Sequence, residues 1–265
     1  MSGHSKWHKI KHKKGANDAK RGSLFTKLGK AITLAASEGG GDPDMNFALR
    51  LAMDKAKAAN MPSDNIDRAI KKGTGEAGGE HIERISYEAY GPAGSAMIID
   101  CTTDNKNRTI SEARNIVEGS GGKFAEAGSV SWQFEEKGII VIKPAKLKKA
   151  EKYGAEDTYE PAQKDEIMME AMEIDGVEDI TEESMENEEG VQEDIMEITT
   201  SKIDFAKADK AIRDSGIEVI SSELVKIAKD KISLETSEKA RVERLVESLE
   251  EHDDIDNVWT NVSEL

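Results

Sequence analysis

Tyr87-Glu88-Ala89-Tyr90-Gly91-Pro92-Ala93-Gly94-Ser95-Ala96-Met97-Ile98-Ile99-Asp100-Cys101-Thr102-Thr103 reads as two strands joined by a tight turn. Proline fixes φ and removes a donor, and glycine admits positive φ, so Gly91 to Gly94 interrupts regular structure. The flanks are rich in Tyr, Ile and Thr, which suit a pleated surface. Strands are therefore expected over 82–90 and 95–103. The run from Ala96 to Cys101 predicts a buried strand, with Cys101 acting as a small hydrophobe.

Downstream, Ile110, Ala113, Ile116 and Val117 recur at helical spacing and predict a helix over 105–118, followed by a strand over 129–134. A further helix and strand needed to complete this lobe are absent here. They reappear at the far end, as a helix over 237–251 (Ala240, Val242, Leu245, Val246, Leu249) and a strand over 256–262. The intervening sequence reads as strand 138–142, helix 164–174, strands 178–181 and 192–199, helix 204–215 and strand 218–227. That order is β-α-β-β-α-β, the split βαβ arrangement.

Upstream the pattern is all-helical. Leu24, Phe25, Leu28, Ala31, Ile32 and Ala35 mark a helix from about residue 16 to 37 that stops at Gly39-Gly40-Gly41. Asp42-Pro43 reads as an N-cap and first-turn proline for a second helix to about residue 59. Pro62-Ser63 opens a third, which ends at Lys71-Lys72-Gly73. The expected fold class is α+β: an N-terminal all-α three-helix domain (1–73), then two ferredoxin-like α+β domains, one inserted in the other. The outer one is discontinuous (80–136 plus 228–265) and the inserted one is acidic (137–227).

Composition agrees with several small lobes. The 265 residues are 37% hydrophobic but only 5% aromatic, lean for one large core. Cys101 is the sole cysteine, so no disulfide framework and no CxxC zinc site can be built. No run approaches the roughly 18 apolar residues of a membrane span. Met1 to Trp7 lacks the apolar core of a signal peptide, which predicts a reducing cytoplasm and no membrane partner.

The formal charge of −16 hides a division. Residues 1–72 hold 15 Lys and Arg against 7 Asp and Glu, a balance of +8. Residues 73–265 hold 22 against 46, a balance of −24. Within the first thirty residues nine are basic and one is acidic. Such asymmetry predicts a polyanion partner confined to one end.

Motifs for catalysis are lacking. Gly73-Thr74-Gly75-Glu76-Ala77-Gly78 has GxGxxG spacing, yet it follows a helix, precedes a strand and carries Glu76 where a phosphate would sit; it reads as a linker. His4, His8 and His12 are spaced for one helix face, but the lysines around them disfavour a dication. No nucleophile elbow, P-loop or Cys–His pair is present. Residues 165–197 contain fifteen Asp and Glu and no Lys or Arg, without EF-hand spacing. They read as a solvated acidic face that could attract a basic protein. The expectation is a non-enzymatic protein with no cofactor and no metal.

The informative stretch is Ser5-Lys6-Trp7-His8-Lys9-Ile10-Lys11-His12-Lys13-Lys14. Lysines suit phosphates, and Trp7 and the histidines can stack or hydrogen-bond. On the following helix Lys20, Lys27 and Lys30 fall together beside the apolar stripe, whereas Arg21 lies apart, pairing locally or facing the tail. The candidate nucleic-acid-binding residues are His4, Lys6, Trp7, Lys9, Lys11, His12, Lys13, Lys14, Lys20, Arg21, Lys27 and Lys30. Lysine meets phosphate alike in DNA and RNA, so both duplex DNA and ribosomal RNA stay open as the target.

Ser2-Gly3-His4-Ser5-Lys6-Trp7, then Ile10 to Gly22, then Phe25-Thr26-Lys27-Leu28, resembles the start of the YebC family, which includes bacterial regulators and a mitochondrial translational activator. Asn46, Met61-Pro62, Tyr87 to Pro92, Asn105-Lys106-Asn107-Arg108-Thr109, Gly128-Ser129-Val130, Trp132 and Phe134 extend the resemblance along the chain. It implies a helical N-terminal domain with two α+β domains and no enzymatic activity. The function it implies is that of a DNA-binding transcriptional regulator or, alternatively, of a ribosome-associated factor that relieves stalling. Residues 154–197 are more acidic than the resemblance leads one to expect.

Overall fold

The computed structural model describes residues 18–78, 81–150, 157–187, 190–263 and 265. Two compact units emerge, one from residues 18–135 and 227–265, the other from 136–226.

Three helices open the first unit: α1 (Asp18–Gly39), α2 (Phe47–Ala58) and α3 (Ser63–Gly73). Leu28, Ile32, Ala35 and Ala36 of α1 bury against Leu49, Ala52 and Ala56 of α2 and Ile66 and Ala69 of α3. The N-cap of α2 is Asn46, not Asp42. Asp42 instead closes a turn, its side chain accepting from the Asp44 amide (2.9 Å) and its carbonyl from the Asn46 amide. The Asn46 side chain accepts from the Leu49 amide (3.1 Å) and donates to the carbonyls of Ala35 (2.7 Å) and Gly40 (2.8 Å). One buried amide thus satisfies the end of one helix and the start of the next. Gly73 serves contact: a Cβ there would lie 2.3 Å from the Thr33 carbonyl oxygen, so α3 meets α1 backbone to backbone.

A four-stranded antiparallel sheet completes this unit. Its strands are β1 (Glu83–Tyr90), β2 (Ala96–Thr103), β3 (Lys123–Ala125) and β9 (Ile255–Thr260), in the order β3-β1-β2-β9. Two helices, α4 (Lys106–Gly119) and α7 (Thr236–Glu250), cover one face. There Met97, Ile99 and Cys101 bury against Ala113, Val117, Leu245 and Leu249. On the other face Ala96 and Ile98 meet Val130, Phe134 and Ala228. Seven of the eight β2 residues are buried, as the uninterrupted apolar run requires. The C-terminal strand joins this sheet across the whole insertion.

The expected strand over 129–134 is not one. Residues Ser131–Gln133 form a 3-10 turn, and the third strand of the sheet is the short β3.

In the second unit, β4 (Phe134–Lys148), α5 (Lys164–Met172), β6 (Val177–Glu186), β7 (Gln192–Ser201), α6 (Phe205–Asp214) and β8 (Ile217–Ala228) follow the split βαβ order. β7 lies between β4 and β6, and β8 pairs with β4. An additional strand, β5 (Thr158–Pro161), pairs with residues 145–148 of β4. Ile140, Ile142, Ile167, Met196, Ile198, Phe205 and Ile212 are fully buried. The molecule is therefore α+β, with three N-terminal helices followed by sheet-containing lobes.

Candidate nucleic-acid interface

His4, Lys6, Trp7, Lys9, Lys11, His12, Lys13 and Lys14 lie outside the described residues, as does the His4–His8–His12 spacing. Lys20 is on the first turn of α1. Arg21 is exposed, and its guanidinium carbon stands 5.4 Å from the ring centre of Phe25, one helical turn on. It pairs locally by cation–π attraction.

Lys27 and Lys30 have protein partners. The Lys27 amine donates to the carbonyl of Glu250, in the last turn of α7, where helical carbonyls lack partners and a cation is favoured. The Lys30 amine is 2.5 Å from Asp254 Oδ1 and 3.3 Å from the Asp253 carbonyl, and Ser23 Oγ is 2.5 Å from Asp253 Oδ1. Residues 23, 27 and 30 share one face of α1, and that face meets the loop between α7 and β9.

Asp254 is the centre of this junction. It is 2% exposed, and besides Lys30 it receives Arg108 Nη2 (2.8 Å), Thr109 Oγ1 (2.8 Å) and Thr103 Oγ1 (3.3 Å). Arg108 also binds Asp104 at 2.7 Å. Burial would raise the Asp254 pKa, but the bonds from Arg108, Lys30 and Thr109 outweigh it and hold the carboxyl well below the usual range. The Asp254 amide donates to His252 Nδ1 (3.0 Å), so the other ring nitrogen carries the proton, 2.7 Å from Glu112 Oε2. Nearby, Asp256 accepts from Thr102 (2.6 Å), and burial pushes its carboxyl upward.

This arrangement fixes α1 to the sheet's edge and leaves Lys27 and Lys30 paired. It offers no activated nucleophile: burial, reinforced by the carboxylates of Asp256, Asp100 and Asp254, pushes the Cys101 thiol far above its ordinary value. Among the described residues no group of three or more His, Cys, Asp or Glu is placed to hold a metal ion. No helix among them is long and apolar enough to cross a membrane. Further cations on the helical lobe, Lys57, Arg68 and Lys71, are exposed. Charge counting passed over them because Asp54, Asp64 and Asp67 lie close in sequence. A shallow cleft of about 430 Å³ at this lobe is lined by Gly41, Asp67, Ile70, Lys71, Thr74 and Glu76, and its two carboxylates against one amine do not favour an anion.

Residues 5–76 match the family model for the TACO1/YebC protein N-terminal domain, and residues 82–262 match that for the TACO1/YebC second and third domain. The chain belongs to the TACO1/YebC family. A relative from Pelotomaculum thermopropionicum, named "Probable transcriptional regulatory protein", is 44% identical over 261 residues, 98% of each chain. One of the same name from Natranaerobius thermophilus is 44% identical, across 98% of this chain and 96% of its own. Among solved structures, the conserved hypothetical protein Aq1575 from Aquifex aeolicus is similar with a TM-score of 0.76 and 34% identity, over 98% of this chain and 97% of its own. TACO1/YebC membership accounts for the lobe order.

Proposed function

We propose that this chain is a cytoplasmic, non-enzymatic regulator of gene expression that binds DNA through its basic N-terminal segment and acts in transcription. The observation that carries the reading is the charge division: nine basic residues against one acidic in the first thirty, ahead of residues 73–265 at −24. The relatives named as transcriptional regulatory proteins support it. The chain is organised as three lobes with boundaries near residues 73, 137 and 228, a division supported by the two family models, which part between residues 76 and 82.

Because Lys27 and Lys30 are held by Glu250, Asp253 and Asp254, phosphate contact rests on Lys6, Lys9, Lys11, Lys13 and Lys14, with Lys20 and Arg21 behind them and His4, Trp7 and His12 stacking or hydrogen-bonding. The test compares two variants by fluorescence anisotropy on duplex DNA. Replacing Lys9, Lys11, Lys13 and Lys14 together by Glu abolishes binding with an unchanged circular-dichroism spectrum and melting temperature. Replacing Lys27 and Lys30 by Met lowers the melting temperature and leaves the affinity within about threefold, since roughly 0.6 kcal/mol of lost long-range attraction is the scale of an exposed charge. Undiminished binding by the four-lysine variant sinks the assignment.

The −24 on residues 73–265 favours one alternative, contact with ribosomal RNA by the tail. Co-sedimentation with ribosomes at low salt, lost in the four-lysine variant, selects it. In either case the acidic stretch 165–197 suits a basic protein, although Glu170, Asp175, Glu178, Glu182 and Glu193 already pair with lysines of their own lobe.

A further inference from the structure

Trp132 is 66% exposed and Tyr90 is 37% exposed, and both point their polar atoms at one oxygen. Trp132 Nε1 donates to the Ser129 carbonyl at 3.0 Å, and the Tyr90 hydroxyl donates to the same carbonyl at 3.1 Å. A tryptophan held only by an apolar contact would turn inward. This one has its single donor satisfied within its own turn, so its ring stays at the surface in one orientation.

The turn itself is fixed from below. The Glu88 carboxylate on β1 accepts from the amides of Gly128 (2.7 Å), Val130 and Ser131 (3.0 Å). Burial would raise the Glu88 pKa, but these three backbone donors hold it below the ordinary value, so the carboxylate is charged and engaged at neutral pH. Gly128, at φ +88°, makes the bend that lets three amides converge. From the other side Lys229 clamps the turn: its amine donates to the Trp132 carbonyl at 2.8 Å and its amide to the Gln133 carbonyl at 2.8 Å. Lys123 on β3 is the cross-strand partner of Tyr90 and is exposed.

We propose that Trp132 and Tyr90 form a stacking platform for an unpaired nucleobase, with Lys229 and Lys123 beside it for the flanking phosphates. Two exposed aromatic side chains with satisfied polar atoms, held rigidly and accompanied by amines, are the requirements for sequence-tolerant stacking of single strands. Trp and Tyr are also enriched at protein interfaces, but the core of such a patch clusters further apolar side chains around them. Here the surround is Gly128, Ser129 and Ser131, and among the described residues of this unit the only other exposed large hydrophobic is Met45, on the turn before α2. The platform deepens the nucleic-acid reading and rests on it. It lies on the sheet lobe, and it requires an unstacked base that an intact duplex does not offer.

The experiment measures affinities of the full chain for short oligo(dT), oligo(U) and a duplex at one salt concentration, for wild type, Trp132→Ala and Trp132→Phe. Trp132→Ala is expected to weaken single-strand binding roughly tenfold, with the duplex affinity unchanged, and Trp132→Phe to restore most of the loss. Loss on oligo(U) alone, or on oligo(dT) alone, identifies which kind of strand, RNA or DNA, the platform takes. If wild type binds nucleic acid but Trp132→Ala changes single-strand affinity less than about twofold, or weakens duplex and single strand equally, the platform is overturned and the tail assignment stands. If wild type binds none of the three probes, both readings fall.

Discussion

Asp254, in the loop just ahead of β9, joins Lys30 in the helical lobe to Arg108 and Thr109 at the start of α4. Its carboxyl has a folded pKa below the unfolded value of about 3.9. Such a group contributes stability that is present above the unfolded pKa and lost as pH falls toward the folded one. Asp254→Asn keeps the volume and removes the charge, so at neutral pH it is expected to cost about 2 kcal/mol, the scale of a hydrogen bond to a charged group. Urea unfolding across pH should show the gap between wild type and variant at full size above about pH 5, closing as pH drops below about 4. A gap that is constant with pH would mean the carboxylate charge contributes nothing. The cations of α1 were legible in the sequence, but their partners were not. A lysine that meets a carboxylate and one that meets a phosphate look the same in a one-dimensional pattern. Arg21, set apart by the helical wheel, does pair locally, with Phe25. Trp132 was visible as a residue of the family pattern, yet an exposed indole and a buried one have the same letter.

Among the elements, helix placement followed from periodicity and caps, and errors arose where a side chain took backbone donors out of circulation. Ser129-Val130-Ser131-Trp132-Gln133-Phe134 alternates like a strand, but Glu88 captures the amides of Gly128, Val130 and Ser131, and a ladder cannot use them. The inner lobe's strands β4 and β6 run longer than their apolar cores because pairing carries polar residues along: Glu182 opposite Met196, Glu183 opposite Ile195. β5 has all four residues exposed and is defined by its pairing with β4 alone. The joint between α1 and α2 illustrates the reverse, a single residue fixing two elements. Asn46→Ala removes the N-cap acceptor and both donated bonds to Ala35 and Gly40, and is expected to destabilise the protein by roughly 2–3 kcal/mol in urea unfolding. Gly73→Ala, which drives a methyl into the Thr33 carbonyl, should cost a comparable amount, about 1–3 kcal/mol, through displacement of α3.

For the molecule as a whole, electrostatics and topology act over different ranges. Binding of a polyanion by the basic first residues, as proposed, would be strongly salt-dependent. If about six cations meet duplex phosphates, the slope of log affinity against log salt is near −5, and raising salt from about 50 to 200 mM should weaken binding about a thousandfold. A slope near zero would mean that the tail does not neutralise phosphate. Sequence by itself determined the order of the helices and of the long strands, the split βαβ order of the insertion, the family and the segregation of charge, while the short β3 and β5 escaped it. These depend on periodicity, propensity and composition within windows of a few turns or strands. Only the tertiary structure decided that Lys30 meets Asp254 across 224 residues, that Glu88 gathers the amides of the 128–131 turn, and that Trp132 stands outward on that turn. Each of these depends on which distant segment supplies a partner atom, and a local pattern carries no record of that choice.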